Sequence, residues 1–117
     1  MSNNNTAYCQ IIDLTANNAD SWSLPIAITQ GYFPTTVVQN ITGWTITLTI
    51  KNLQLDAIPV FTTSVSSHVD PINGLTLISL SKTTTTTLIG WYYYYLSWVD
   101  NNGGTQTFQK GKVQFTI

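Results

Sequence analysis

The side chains able to do acid–base or nucleophilic chemistry are few in this chain. His68 is the only histidine, and it sits in "SSHVDPING" with Ser66 and Ser67 before it and Asp70 after it. Serine, histidine and aspartate are the parts of a hydrolytic triad, in which the imidazole takes the nucleophile's proton and the carboxylate orients the imidazole. Neighbours within one turn rarely line up in that order, and no Gly-x-Ser-x-Gly elbow occurs to present a nucleophile. His68 therefore reads as an exposed loop histidine. Cys9 is the only cysteine, so no intrachain disulfide forms. A lone cysteine and a lone histidine do not make a zinc cluster, and Cys9 reads as a small buried hydrophobe on an early strand. The carboxylates are Asp13, Asp20, Asp56, Asp70 and Asp100. Each falls at an expected turn or strand end, where aspartate accepts backbone hydrogen bonds. Two carboxylates held about 5–10 Å apart hydrolyse glycosides, and calcium needs several oxygens together. The spacing supplies neither arrangement, and no glycine-rich phosphate loop is present. The expectation is a non-enzyme without cofactor or metal.

The elements that would have to position such groups are strands. The chain has 117 residues, 43% of them hydrophobic but only 8% charged, against about a quarter charged in an ordinary soluble domain. All the acids are Asp and all the bases are Lys, so most of the usual helix-forming set is missing. Thr, Val, Ile, Tyr and Trp, which suit a pleated sheet, take its place. At this length a single domain buries a real core without disulfides or metal. A net charge of −1 gives no electrostatic footprint for nucleic acid or an anionic membrane. No apolar run approaches the roughly 18 residues of a membrane span. The opening "MSNNNTAYCQ" lacks the basic and apolar regions of a signal peptide, which implies synthesis in a cytoplasm. A surface clad in Thr, Ser, Asn and Gln is also poorly guarded at its sheet edges, where lysine usually blocks stray pairing. That suits a chain packed in an assembly.

Strand-like segments are expected at 9–14, 23–29, 37–52, 58–65 and 75–80, with "TANNADS" and "SSHVDPING" as turns and a corner at Gly31–Pro34. Within 44–51, Trp44, Ile46, Leu48 and Ile50 alternate with Thr45, Thr47, Thr49 and Lys51, the period of a strand with one buried face. The Thr83–Thr87 run reads as a connector with at most a single helical turn. "DNNGG" (100–104) marks a hairpin, because Asn and Gly accept positive φ. The last segment, 105–117, reads as two short strands or one long strand broken at Gly111. The expected fold is a single all-β domain over 9–117, an antiparallel Ig-like β-sandwich of about seven or eight strands, preceded by a polar arm at 1–8.

The most unusual stretch is "GWYYYYLSWVD" (90–100), with five aromatic residues in a row. Strand side chains alternate between two faces, so both faces of this strand are aromatic and each needs a cover.

The order of motifs carries a resemblance. "NITGWTITLTIKN" (40–52) is followed by "GLTLISLSKTTTTTLIGWYYYYLSWVDNNGGTQTFQKGKVQFTI" (74–117). This resembles small β-sandwich domains of tailed-bacteriophage virions, including the N-terminal domain of upper baseplate proteins. The residues that carry it are Thr42, Gly43, Trp44, Thr87, Leu88, Gly90, Tyr92, Tyr94, Leu96, Asp100, Gly103, Gly111 and Val113. Lys51 stands where the family usually has Arg, Ile41 where Leu is common, and Tyr95 where Asp is frequent. The match covers about the last two-thirds of the chain and leaves out the arm. It implies a structural role in the virion, without catalytic residues: a tail or baseplate module, or a capsid decoration (cement) protein. The implied partners are other virion proteins, such as tail, baseplate or major capsid proteins, and further copies of the chain in a homo-oligomer.

The resemblance also phases the aromatic strand. Trp44, Tyr92, Tyr94, Leu96 and Trp98 become core positions. Trp91, Tyr93 and Tyr95 then face outward, spanning about 13 Å. Tyr and Trp favour interfaces because a flat apolar body carries a polar handle. With Asn3, Asn4, Asn5 and Tyr8 of the arm, they form the candidate interface. Three covers stay open for the outward rings: another layer of the same chain, a neighbouring subunit, or a carbohydrate stacked on them. Single-stranded nucleic acid lacks the basic groove it would need.

Overall fold

The computed structural model describes residues 10–30, 37–53 and 58–117. The arm residues Asn3, Asn4, Asn5 and Tyr8, together with Cys9, Asp56 and the Gly31–Pro34 corner, lie outside the described residues. Among those described, ten strands occur: β1 (Gln10–Ile11), β2 (Leu14–Asn17), β3 (Trp22–Ala27), β4 (Thr29–Gln30), β5 (Val37–Val38), β6 (Thr45–Lys51), β7 (Phe61–Val65), β8 (Leu75–Leu80), β9 (Gly90–Val99) and β10 (Thr105–Thr116). They build a six-stranded sheet in the order β1-β10-β9-β6-β7, with β2 also paired to β10, and two-stranded sheets β3-β8 and β4-β5. The protein is all-β, as its composition predicts.

The centre of the large sheet follows directly from alternation. In β6, Ile46, Leu48 and Ile50 are fully buried, and in β9 so are Tyr94 and Leu96. β10 adds Val113 and Phe115 to the same core. From the smaller sheet come Ile26 of β3 and Ile78 and Leu80 of β8, so the two sheets share one apolar interior. Its aromatic members form two groups. Trp98 stacks on Phe108 at 5.3 Å and meets Trp44 at 5.2 Å. Trp22 and Tyr92 each meet Phe115 edge-on at 5.9 Å, the geometry that ring quadrupoles favour.

Several expectations need correction. Ten strands replace the expected seven or eight because the N-terminal and central segments are interrupted. The first residues of "TANNADS" are strand rather than turn, since β2 runs to Asn17 beside β10. The segment 58–65 is a strand only from Phe61. The last segment is one strand, and its irregularity falls between Thr107 and Gln109 instead of at Gly111. A bulge there sets two residues against one, which lets Phe108 join Trp98 inside the core.

Gly111 has a different task. β1 and β2 run parallel to β10, in contrast to the wholly antiparallel fold expected, and keep one register along it, with Ile11 beside Lys110 and Leu14 beside Val113. The chain kinks between them, and a Cβ on Gly111 would sit 2.2 Å from the carbonyl oxygen of Ile12. Glycine leaves that space open. Tyr94, the β9 partner of Gly111, donates its hydroxyl hydrogen bond to the same Ile12 carbonyl. Gln109 donates to the Tyr94 oxygen at 3.0 Å. Across the kink, Asp13 Oδ1 accepts the Lys112 amide at 3.1 Å, so a side chain continues the ladder.

Two connections behave as their residues predict. Asp100 Oδ1 accepts the amides of Asn102 and Gly104 at 2.9 and 2.8 Å, and Gly103 at φ +82° closes the β9–β10 hairpin. The threonine run holds a single helical turn, α1 (Lys82–Thr85), capped when Ser81 Oγ accepts the Thr84 amide at 3.3 Å. Asn18 donates to the carbonyls of Thr85 and Leu88 at 2.9 Å, and the buried Thr85 hydroxyl donates to Asp20 at 2.7 Å. The connector is therefore docked on the body of the domain.

Candidate functional site

The serine–histidine–aspartate trio does not assemble. His68 is half-buried, in contrast to the exposed loop residue expected from sequence. Its Nε2 lies 2.8 Å from the Trp44 carbonyl, and its Nδ1 lies 2.8 Å from Thr76 Oγ1. The carbonyl can only accept, so Nε2 carries the proton. Thr76 then donates to Nδ1 in the neutral ring. Ser66 instead pairs with Thr45 at 3.2 Å, and Asp70 accepts from Asn73 at 2.8 Å. The histidine satisfies the one buried hydroxyl on the inner face of β8. Thr76, breaking the apolar phase of Ile78 and Leu80, was the available sequence signal for that partnership. Among the described residues, no group of three or more His, Cys, Asp or Glu side chains could hold a metal ion. Among the described residues, no helix is long and apolar enough to cross a membrane.

Among the described residues, concavity is found at the hairpin end and on the outward face of the large sheet. At the hairpin end, Gln39, Asn40, Thr42, Trp44, Asp100, Asn101 and Asn102 line an open hollow of about 420 Å³. Many of its polar groups already bond one another. Asn40 Oδ1 accepts both the amide and the hydroxyl of Thr42, at 3.0 and 2.7 Å, and Asn101 donates to the Thr42 carbonyl at 3.0 Å. These bonds hold two turns against each other.

The second region is the outward face of the large sheet. Alternation in β9 points Tyr92, Tyr94, Leu96 and Trp98 at the core, where Tyr94, Leu96 and Trp98 are buried and Tyr92 packs on them. Trp91, Tyr93 and Tyr95 point the other way. Trp91 is 57% exposed, while Tyr93 and Tyr95 are half-buried. Register fixes their neighbours. Tyr93 lies between Lys112 of β10 and Lys51 of β6, and Tyr95 lies between Lys110 and Thr49. The Lys51 ammonium stands 5.2 Å from the centre of the Tyr95 ring, within the reach of a cation–π attraction. Ile11, 74% exposed, follows Lys110 in the same cross-strand row.

Shallow hollows flank Tyr93. Asn52, Trp91, Tyr93 and Lys112 line one of about 220 Å³ together with Tyr92, and Ile11, Tyr93, Tyr95, Lys110 and Gly111 line one of about 160 Å³. Farther along, the same face turns from aromatic to hydroxyl. Thr47 bonds Ser64 at 2.9 Å across β6 and β7, and Ser97 and Val99 continue β9. Sequence reasoning found the three rings. It missed the three lysines, because residues 51, 110 and 112 become neighbours of 93 and 95 only through strand pairing. The chain matches no protein-family model and no curated protein.

Proposed function

We propose that this protein is a non-enzymatic structural component of a tailed-phage virion. In this reading it is an Ig-like β-sandwich, antiparallel except where β1 and β2 run parallel to β10, made in the host bacterial cytoplasm and incorporated into the particle. Its place there is a tail or baseplate module or a capsid decoration protein, working through protein–protein contacts with virion partners and with copies of itself. The observation that carries the reading is the outward strip of Trp91, Tyr93 and Tyr95 on a sheet whose opposite face is already the core. Large aromatics displayed on a rigid sheet are the residues that dominate protein interfaces. The order of motifs shared with virion β-sandwich domains supplies the particle context.

The test is the double variant Tyr93→Ser/Tyr95→Ser. Light scattering over a wide dilution series and incorporation into particles should both fall, while far-ultraviolet circular dichroism stays that of the parent. Unchanged oligomer mass together with unchanged incorporation would sink the assembly role of this face.

A second reading is a carbohydrate- or host-receptor-binding module that uses the same strip. It is favoured by the hollows on either side of Tyr93, each lined by an aromatic ring and a lysine. Sugars stack on such rings and bond the polar groups at their edges.

A further inference from the structure

The lysines of this protein are not spread over its surface. Of the four in the sequence, Lys51, Lys110 and Lys112 lie on the outward face of the large sheet, and only Lys82 lies elsewhere, in α1. Lys112 and Lys51 are the two cross-strand partners of Tyr93. Adjacent strands are about 4.8 Å apart, so these two backbones stand roughly 10 Å apart with the tyrosine between them. Each ammonium rides on a flexible four-carbon stem; that of Lys51 stands over the Tyr95 ring and can swing toward a ligand laid on Tyr93. Trp91 lies two residues along the same face, about 7 Å away. In a chain with a net charge of −1 and a pI near 5.4, this is a local reversal of sign. Among the described acids, Asp13 is the closest to it in register, and its Oδ1 is held by the Lys112 amide. Asp20, Asp70 and Asp100 belong to turns.

We infer that the Trp91–Tyr93–Tyr95 strip with Lys51, Lys110 and Lys112 is a binding site for an acidic polysaccharide, a chain of sugar rings bearing uronate carboxylates. The inference deepens the carbohydrate reading of this face and rests on it. A pyranose ring lays its C–H face on Trp91 or Tyr93, and its carboxylate meets the ammonium groups of Lys51 and Lys112. Asn52, Gln114 and Thr49 border the strip with groups that bond hydroxyls. Lys110, beside Tyr95, offers a second carboxylate contact along the strand. Charge complementarity is what selects an acidic chain over a neutral one. Single-stranded nucleic acid fits less well, because three cations neutralise about three phosphates, a salt slope of only about −2.

The experiment titrates the full chain with polygalacturonate at low salt, following tryptophan emission and heat. Dextran, oligo(dT) and poly-glutamate are titrated in parallel. The expected result is binding of polygalacturonate alone, with a shift in emission that Trp91→Ala abolishes. Affinity should weaken as salt rises and fall about tenfold or more in Lys51→Gln/Lys112→Gln, with Lys82→Gln unchanged. Circular dichroism identifies any variant that has lost its fold, and Lys110→Gln then serves in its place. Equal binding of dextran overturns the acidic preference and leaves the carbohydrate reading standing. Silence with both polysaccharides overturns both. Tighter binding of oligo(dT) or poly-glutamate overturns the inference in favour of a nucleic acid or an acidic protein segment.

Discussion

The two faces of β9 are built from nearly the same residues and end in different states. On the inner face, Tyr94 is buried with its hydroxyl bonded to Ile12 and Gln109, and Trp98 is stacked on Phe108 and tilted against Trp44. On the outer face, Trp91 is largely exposed and Tyr95 is covered in part by Lys51. Composition along the strand does not separate the two. What separates them is the register with β6 and β10, which sets Leu48, Ile50 and Val113 beside one face and Thr49, Lys51, Lys110 and Lys112 beside the other. An aromatic ring is a core residue when its cross-strand neighbours are apolar and another sheet packs above it. With lysines and threonines as neighbours, the same ring stays at the surface.

Substitutions on the two faces should therefore differ in scale, and each tests the contrast. The largest effect is expected at Leu96, which is fully buried at the centre of the sheet. Leu96→Ala should cost about 2–5 kcal/mol by loss of transfer energy and creation of a cavity, read as a drop in the denaturant midpoint at constant slope. A cost below about 1 kcal/mol would mean that β9 is not the core strand. Tyr94→Phe should come next. It keeps the ring and removes only the hydroxyl, leaving the Ile12 carbonyl without that donor, at about 1–3 kcal/mol. Amide exchange should quicken at the β1–β2 kink, and unchanged exchange there would separate the hydroxyl from the docking of the N-terminal strands. The smallest effect is expected at Trp91. Trp91→Ala should stay within about 0.5 kcal/mol of the parent while abolishing the emission change with ligand. A loss of stability as large as that of Leu96→Ala would show that Trp91 is structural and erase the distinction between the faces.

Much of this was legible in the chain. Alternation in 44–51 predicts β6 and its buried Ile46, Leu48 and Ile50, and "DNNGG" predicts the hairpin whose amides Asp100 collects. The aromatic strand could be phased from its motif, and the inward set is buried or packed as phased. The interruptions were harder to read. Nothing local in "QIIDLTAN" announces a kink at Ile12–Asp13, where the Ile12 carbonyl comes close to Gly111, 99 residues away in sequence. The bulge at Phe108 is similarly hidden, since only the space beside Trp98 shows why an extra residue is accommodated. His68 was misread for a related reason. Both of its partners, Thr76 and the Trp44 carbonyl, are brought to it by the pairing of distant strands.

The sequence by itself determined that this is an all-β protein, where the sharp turns fall, and that one strand would carry aromatic rings on both sides. Those properties follow from residue propensity and from the two-residue period of a strand, which are local. Only the tertiary structure decided which residues stand beside those rings. Cross-strand pairing brings residue 51 and residues 110 and 112 to either side of Tyr93, and no local preference encodes that meeting. A surface poor in charge acquires a cationic, aromatic face through register, set by the burial of the apolar side of β6, β9 and β10 in a common core.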